Sequence, residues 1–240
     1  VFLAMWFWFA VIALLCWSGS DLFSKIGCQD EKDKYSHLKM VTAVGIVMGL
    51  HAAYEIFIGG VEINLEVILT YLPVSALYIV SMAVGYLGLR YIELSISSPI
   101  CNSSGAIVAV LTIITVGIGD EVPPVALVAV ALVCIGVIGL GFTEANEDEE
   151  LRRARQDASN RHYAKSWIAI FIPIVYCLLD ALGTFADSRV LEIINEDSAN
   201  VAYELTFLVV GLVSLFYVTV VKKQRLVAKQ EAPKYTGAIF

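Results

Sequence analysis

Residues 67–89 read VILTYLPVSALYIVSMAVGYLGL, a run of twenty-three positions without one charged side chain. A hydrocarbon core about 30 Å thick is crossed by roughly 20 apolar residues in helical form, so this run is long enough to span a bilayer. It does not alternate apolar with polar residues, as a barrel strand would, and a helix is then the form that satisfies its backbone in lipid. Runs of comparable length occur at 2–24, 38–58, 94–118, 124–143, 167–188 and 201–221. Composition agrees, with 58% hydrophobic and 16% charged residues, where soluble domains hold about 45–50% and 25%. The expected fold class is an all-α integral membrane protein with about seven helices in these 240 residues.

The chain opens at Val1 inside an apolar run and closes on Ala238-Ile239-Phe240 just after a basic turn, and so reads as part of something longer. The first run lacks the basic n-region and the small-residue cleavage site of a signal peptide, and is expected to remain as a helix. Five cysteines, with no Cys-x-x-Cys pair, read as small buried hydrophobes. The net charge of −7 reflects loop acids such as Glu147–Glu150, and no nucleic-acid partner is expected.

The hydrophilic stretch 144–165 divides five expected helices (1–143) from two and the start of a third (166–240). Laying Gly19 on Gly183 aligns Gly19-Ser20 with Gly183-Thr184 and Ser24-Lys25 with Ser188-Arg189, each near the end of the first helix of its half. Five helices per half would force the second copy upside down, as in inverted-repeat transporters. The basic residues reverse accordingly. In the first half they fill the first loop (Lys25, Lys32, Lys34, Lys39) and avoid the second, whereas the second half has Arg189 in its first loop and Lys222, Lys223, Arg225, Lys229 and Lys234 in its next. Over the chain, fifteen basic residues collect on one side and Arg189 stands alone on the other. The positive-inside rule makes the linker cytoplasmic and places the start of helix one outside.

Tyr86-Leu87-Gly88-Leu89-Arg90-Tyr91, the Ser-rich helix with Pro99, Gly119-Asp120-Glu121, and Ala131-Leu132-Val133-Cys134-Ile135-Gly136-Val137 together resemble the third-to-fifth-helix signature of the drug/metabolite transporter superfamily, EamA type. Trp17-Ser18-Gly19-Ser20 is similar to the segment closing that family's first helix. The resemblance implies two inverted five-helix repeats, ten helices in full, with about seven present here. It departs in the Asp inserted between Gly119 and Glu121 and in orientation, since ten-helix members usually keep both termini in the cytoplasm.

A charge at mid-bilayer costs about 2.5–3.5 kcal/mol on insertion scales, so membrane-buried ionisable residues mark candidate sites. His51 and Glu55, four apart, share a helix face and suit proton binding and release. Asp180 is the most deeply placed acid, suited to a cationic substrate or a proton. Glu204 opens its expected helix at the interface, and Asp21 lies near the far end of helix one. Ser98 and Asn102, one turn apart beside Pro99, are expected to border a cavity, which the family resemblance also implies for this helix. Gly45-x-x-x-Gly49 and the Gly136, Gly139, Gly141 series read as packing features.

No phosphate loop, zinc-spaced His/Cys set or nucleophile elbow occurs, so no enzyme, cofactor or metal is expected. The function expected is a multi-pass plasma-membrane secondary transporter moving a small metabolite or organic solute by alternating access, with H+ or Na+ as candidate coupling ions. The lipid bilayer and the small-molecule substrate are its expected partners. A non-transporting membrane scaffold or accessory subunit is the alternative.

Overall fold

A computed structural model describes residues 2–28, 33–117, 124–146, 148–150, 153–154, 167–226 and 228–240. The helices are α1 (Phe2–Cys28), α2 (Ser36–Tyr54), α3 (Leu65–Gly88), α4 (Leu94–Cys101), α5 (Ser104–Val116), α6 (Pro124–Ala145), α7 (Trp167–Val190), α8 (Glu196–Phe216) and α9 (Ala228–Ile239). Among the described residues there is no strand, and six helical segments are long and apolar enough to cross a membrane: Phe7–Cys28, Ser36–Gly59, Leu65–Gly88, Ile96–Thr115, Phe171–Val190 and Glu196–Val221. The chain is an all-α, multi-pass membrane protein. The seventh expected span falls on α6, whose apolar stretch among the described residues, Leu127–Leu140, is shorter. The Gly119-Asp120-Glu121 turn and most of the 144–165 linker, including Arg152, Arg155, Arg161, His162 and Lys165, lie outside the described residues.

The expected single helix over 94–118 is broken at Asn102 and Ser103 into α4 and α5. Pro99 has no N–H to give and its ring crowds the preceding turn. Carbonyls at the break are taken up locally: the Asn102 amide donates to Ser98 O at 2.8 Å and the Ser103 hydroxyl to Ile100 O at 2.7 Å. That is what a non-helical junction inside lipid requires.

Two compact units form, each drawing helices from both sides of the linker. The first holds Val1–Leu69 and Glu196–Phe240. Here α2 and α8 run antiparallel: the Tyr35 and Tyr217 rings meet edge to face at one end, and Ser198 donates to the Glu62 carbonyl at the other. Between them the backbones nearly touch. A Cβ at Gly45 would stand 2.7 Å from the Phe207 carbonyl oxygen and 2.9 Å from Gly211 Cα, so the spacing read as a packing feature does admit a neighbouring backbone. Gly136 and Gly139 differ: among the described residues nothing lies within 4 Å of a Cβ at either.

In the same unit α9 lies antiparallel to α1. Ser20 donates to the Gly237 carbonyl at 2.9 Å, Lys234 packs on Gly27, and the Phe23 and Phe240 rings stack. Charges read as loop charges are buried in this packing. Lys39 Nζ lies 2.9 Å from Asp33 Oδ2 and 3.1 Å from Glu231 Oε1, and Lys234 Nζ lies 2.6 Å from Glu231 Oε2. Lys39, Glu231 and Lys234 are each at most 7% exposed, and paired charges are the form in which such burial is tolerated.

The second unit holds Thr70–Asn195. Its α3 and α7 are joined by tyrosines two turns apart: Tyr71 donates to Asp187 Oδ1 at 2.6 Å and Tyr78 to Thr184 Oγ1 at 3.1 Å. Asp187, near the C-terminal end of α7, is thus bonded within the unit. Tyr176 packs on Gly85 and Tyr78 on Gly183. Ile92, Ile96 and Ile100 form a small core against which Val137 of α6 packs.

Candidate functional site

Three of the sequence-selected residues come together in the first unit. Glu204 opens no helix: α8 begins at Glu196, with Glu196 and Asp197 favourably placed at its positive end. Glu204 is therefore about 12 Å into the helix at 1.5 Å per residue, and its side chain is only 15% exposed. There its Oε1 meets His51 Nδ1 at 2.8 Å. On the other edge of the ring, His51 Nε2 lies 3.6 Å from Glu55 Oε1. His51 and Glu204 sit between the middle of their spans, Ser36–Gly59 and Glu196–Val221, and the ends where the second loop meets α8.

Local backbone shape contributes. The helix carrying His51 ends in a wide π turn, Glu55–Gly59, whose first carbonyl accepts the Gly60 and Val61 N–H groups, and Gly60 takes the left-handed conformation (φ 73°) that closes it. Glu55 thus stands at the junction, aimed back one turn at His51. Such single wide turns recur at functional sites.

A neutral imidazole has one N–H, so it can donate to one of two flanking carboxylates while its other nitrogen faces the second with a lone pair. Adding one proton to the ring gives an imidazolium hydrogen-bonded to Glu204 and within ion-pair distance of Glu55. Glu204 Oε2 is buried and accepts no hydrogen bond among the described residues, so this carboxyl holds a further site for a proton or cation. Because the acids approach opposite ring nitrogens, the imidazole stands between two carboxylates that do not converge on one point.

The other sequence-selected residues are placed separately. Ser98 and Asn102 bond to each other along α4, through Asn102 Nδ2 to Ser98 Oγ at 3.0 Å, and Asn102 is exposed. Asp180, at the tenth of the twenty positions in its span, is half-buried and interacts with Ser104, the first residue of α5. Asp21 is half-buried on α1 beside Ser20. Sequence reasoning missed the link of His51 to Glu204, which lie 153 residues apart. The only signal for it was that both are ionisable residues in apolar runs. No protein-family model matches the chain, and neither a curated protein nor a solved structure matches it.

Proposed function

We propose that the chain is a secondary transporter of the plasma membrane, of the drug/metabolite transporter type its sequence resembles, moving a small organic solute by alternating access with the Glu204–His51–Glu55 cluster as its proton carrier. The observation that carries the reading is an intramembrane imidazole with a carboxylate at each ring nitrogen. Such a cluster costs several kcal/mol to keep in lipid, and it changes its hydrogen bonding with each proton gained or lost. A scaffold that needed polar glue would be served by neutral amides or hydroxyls.

The reading includes an inverted repeat, and equivalent details in the two halves support it. A Cβ at Gly19 of α1 would stand 3.2 Å from the Phe240 ring of α9, and one at Gly183 of α7 would stand 3.1 Å from the Tyr78 ring of α3. The glycines are 164 positions apart (183 minus 19) and the rings 162 (240 minus 78). Both second helices end in a wide π turn, Glu55–Gly59 and Tyr217–Val221, and each is followed by a left-handed residue, Gly60 and Lys223. Gly45 and Gly211, 166 apart (211 minus 45), form the crossing of α2 with α8, and two antiparallel helices related by a two-fold axis cross at equivalent residues.

The test is reconstitution of the full-length protein and measurement of flux for amino acids, sugars, nucleosides and organic cations, with and without a pH gradient. Glu204→Gln is expected to abolish gradient-driven accumulation while leaving downhill exchange. Unchanged proton coupling in Glu204→Gln would remove this cluster from the mechanism.

A further inference from the structure

The end of the first unit where α8 stops and α2 starts is strongly basic. From Lys222 to Gln230 the chain reads KKQRLVAKQ, with four cations and no acid. Lys222, Lys223, Arg225 and Lys229 are all exposed, as is Lys34 just before α2. The acids described nearby are engaged with other groups. Glu231 pairs with the buried Lys39 and Lys234, and Asp33 takes Lys39 and the Tyr35 N–H. Asp30, Glu31 and Lys32 lie outside the described residues.

The position of these cations along the membrane normal follows from what they touch. Lys222 directly follows the apolar span Glu196–Val221. Its Nζ lies 5.2 Å from the centre of the Tyr217 ring and 6.0 Å from that of Tyr35, and the two rings meet edge to face. Tyrosines gather at the level of the lipid headgroups, so the cluster starts where the phosphates are. Both flanking helices are packed, α8 on α2 and α9 on α1, so the charges are held at this surface rather than carried on a free tail.

A charge needed only to orient the chain could sit anywhere in this segment. Lys223 does not, because it occupies the left-handed region (φ 54°), which costs a residue with a Cβ stability that glycine keeps. The residue in the matching place after the wide turn that ends α2 is Gly60. Strained backbone of this kind is characteristic of ligand-holding positions.

We propose that Lys222, Lys223 and Arg225 form a binding site for the headgroup of an anionic phospholipid, in the leaflet that the positive-inside rule makes cytoplasmic. A polybasic segment directly after a span is a form that such recognition takes, and the planar guanidinium of Arg225 suits a phosphate. The site stands whether or not the chain transports a solute.

The full-length protein in detergent is titrated with palmitoyl-oleoyl phosphatidylglycerol and with the phosphatidylcholine of the same acyl chains, and bound lipid is counted by native mass spectrometry. The wild type is expected to bind the anionic lipid about tenfold or more tighter, since each cation near an anionic surface is worth about fivefold. Lys223→Gly is expected to lower that preference about fivefold while raising resistance to unfolding, a split that a merely structural lysine would not give. Lys222→Gln, Lys223→Gln and Arg225→Gln together are expected to remove the preference. Arg189→Gln, which deletes the basic residue expected on the opposite side, is expected to leave it unchanged. Equal binding of the two lipids by the wild type, a preference that survives the triple substitution, or an equal loss in Arg189→Gln overturns the assignment.

Discussion

Replacing Gly45 by Ala adds one methyl group at the point where α2 and α8 are closest. That methyl carbon would lie 2.7 Å from the Phe207 carbonyl oxygen and 2.9 Å from Gly211 Cα, both backbone atoms that cannot swing aside. Restoring an ordinary contact of 3.4 Å moves the helices apart by at least 0.7 Å (3.4 minus 2.7) at the crossing. The same movement stretches the bond from Thr42 Oγ1 to the Gly211 carbonyl, already 3.3 Å long. Overpacking of this kind costs about 1–3 kcal/mol. Gly136→Ala is the matched control, because among the described residues nothing lies within 4 Å of its added carbon and Ala is the better helix former by about 0.5–1 kcal/mol. Equilibrium unfolding in bicelles, followed by steric trapping, measures both. The expected result is a loss for Gly45→Ala and a small gain or no change for Gly136→Ala. Gly45→Ala at least as stable as the wild type would refute the close approach on which the α2–α8 pair is built.

Glu231→Gln removes a carboxylate lying within 3.1 Å of Lys39 and 2.6 Å of Lys234, both buried. Breaking such a buried pair costs about 3–5 kcal/mol, and Glu231→Gln with Lys234→Met should recover part of it, as the same unfolding assay would record. The left-handed residues after the two π turns give opposite signs. Lys223→Gly should stabilise by about 1 kcal/mol, Gly60→Ala should destabilise by about the same, and matching signs would count against the backbone assigned there.

The bilayer-spanning helices were legible because a 20-residue apolar run has one economical structure in lipid, and each of the six segments overlaps such a run. The Gly45–Gly49 spacing was legible for a related reason, since small residues one turn apart have little other use. What escaped reading was long-range. Glu204 read as interfacial because its apolar run begins at Val201, yet the helix starts at Glu196, and polar residues such as Asp197 and Ser198 lengthened it beyond any hydropathy boundary. Its meeting with His51 depends on how α2 and α8 cross, which no local pattern encodes. Lys39 and Lys234 counted as loop charges because their partners, Glu231 above all, lie on a helix too polar to be recognised by hydropathy. The break at Asn102–Ser103 was half visible: Pro99 and the serines announced a weak helix, but its division into α4 and α5 rests on the carbonyls that Asn102 and Ser103 satisfy.

The central claim, that an intramembrane His–carboxylate cluster couples proton movement to solute movement, is tested most directly by solid-supported-membrane electrophysiology on reconstituted full-length protein. A solute panel is applied across an imposed pH gradient to wild type and to Glu204→Gln. The account predicts a solute-evoked current for at least one class in the wild type that depends on the gradient and disappears in the variant. No gradient-dependent current with any class, or currents identical in wild type and variant, would contradict it.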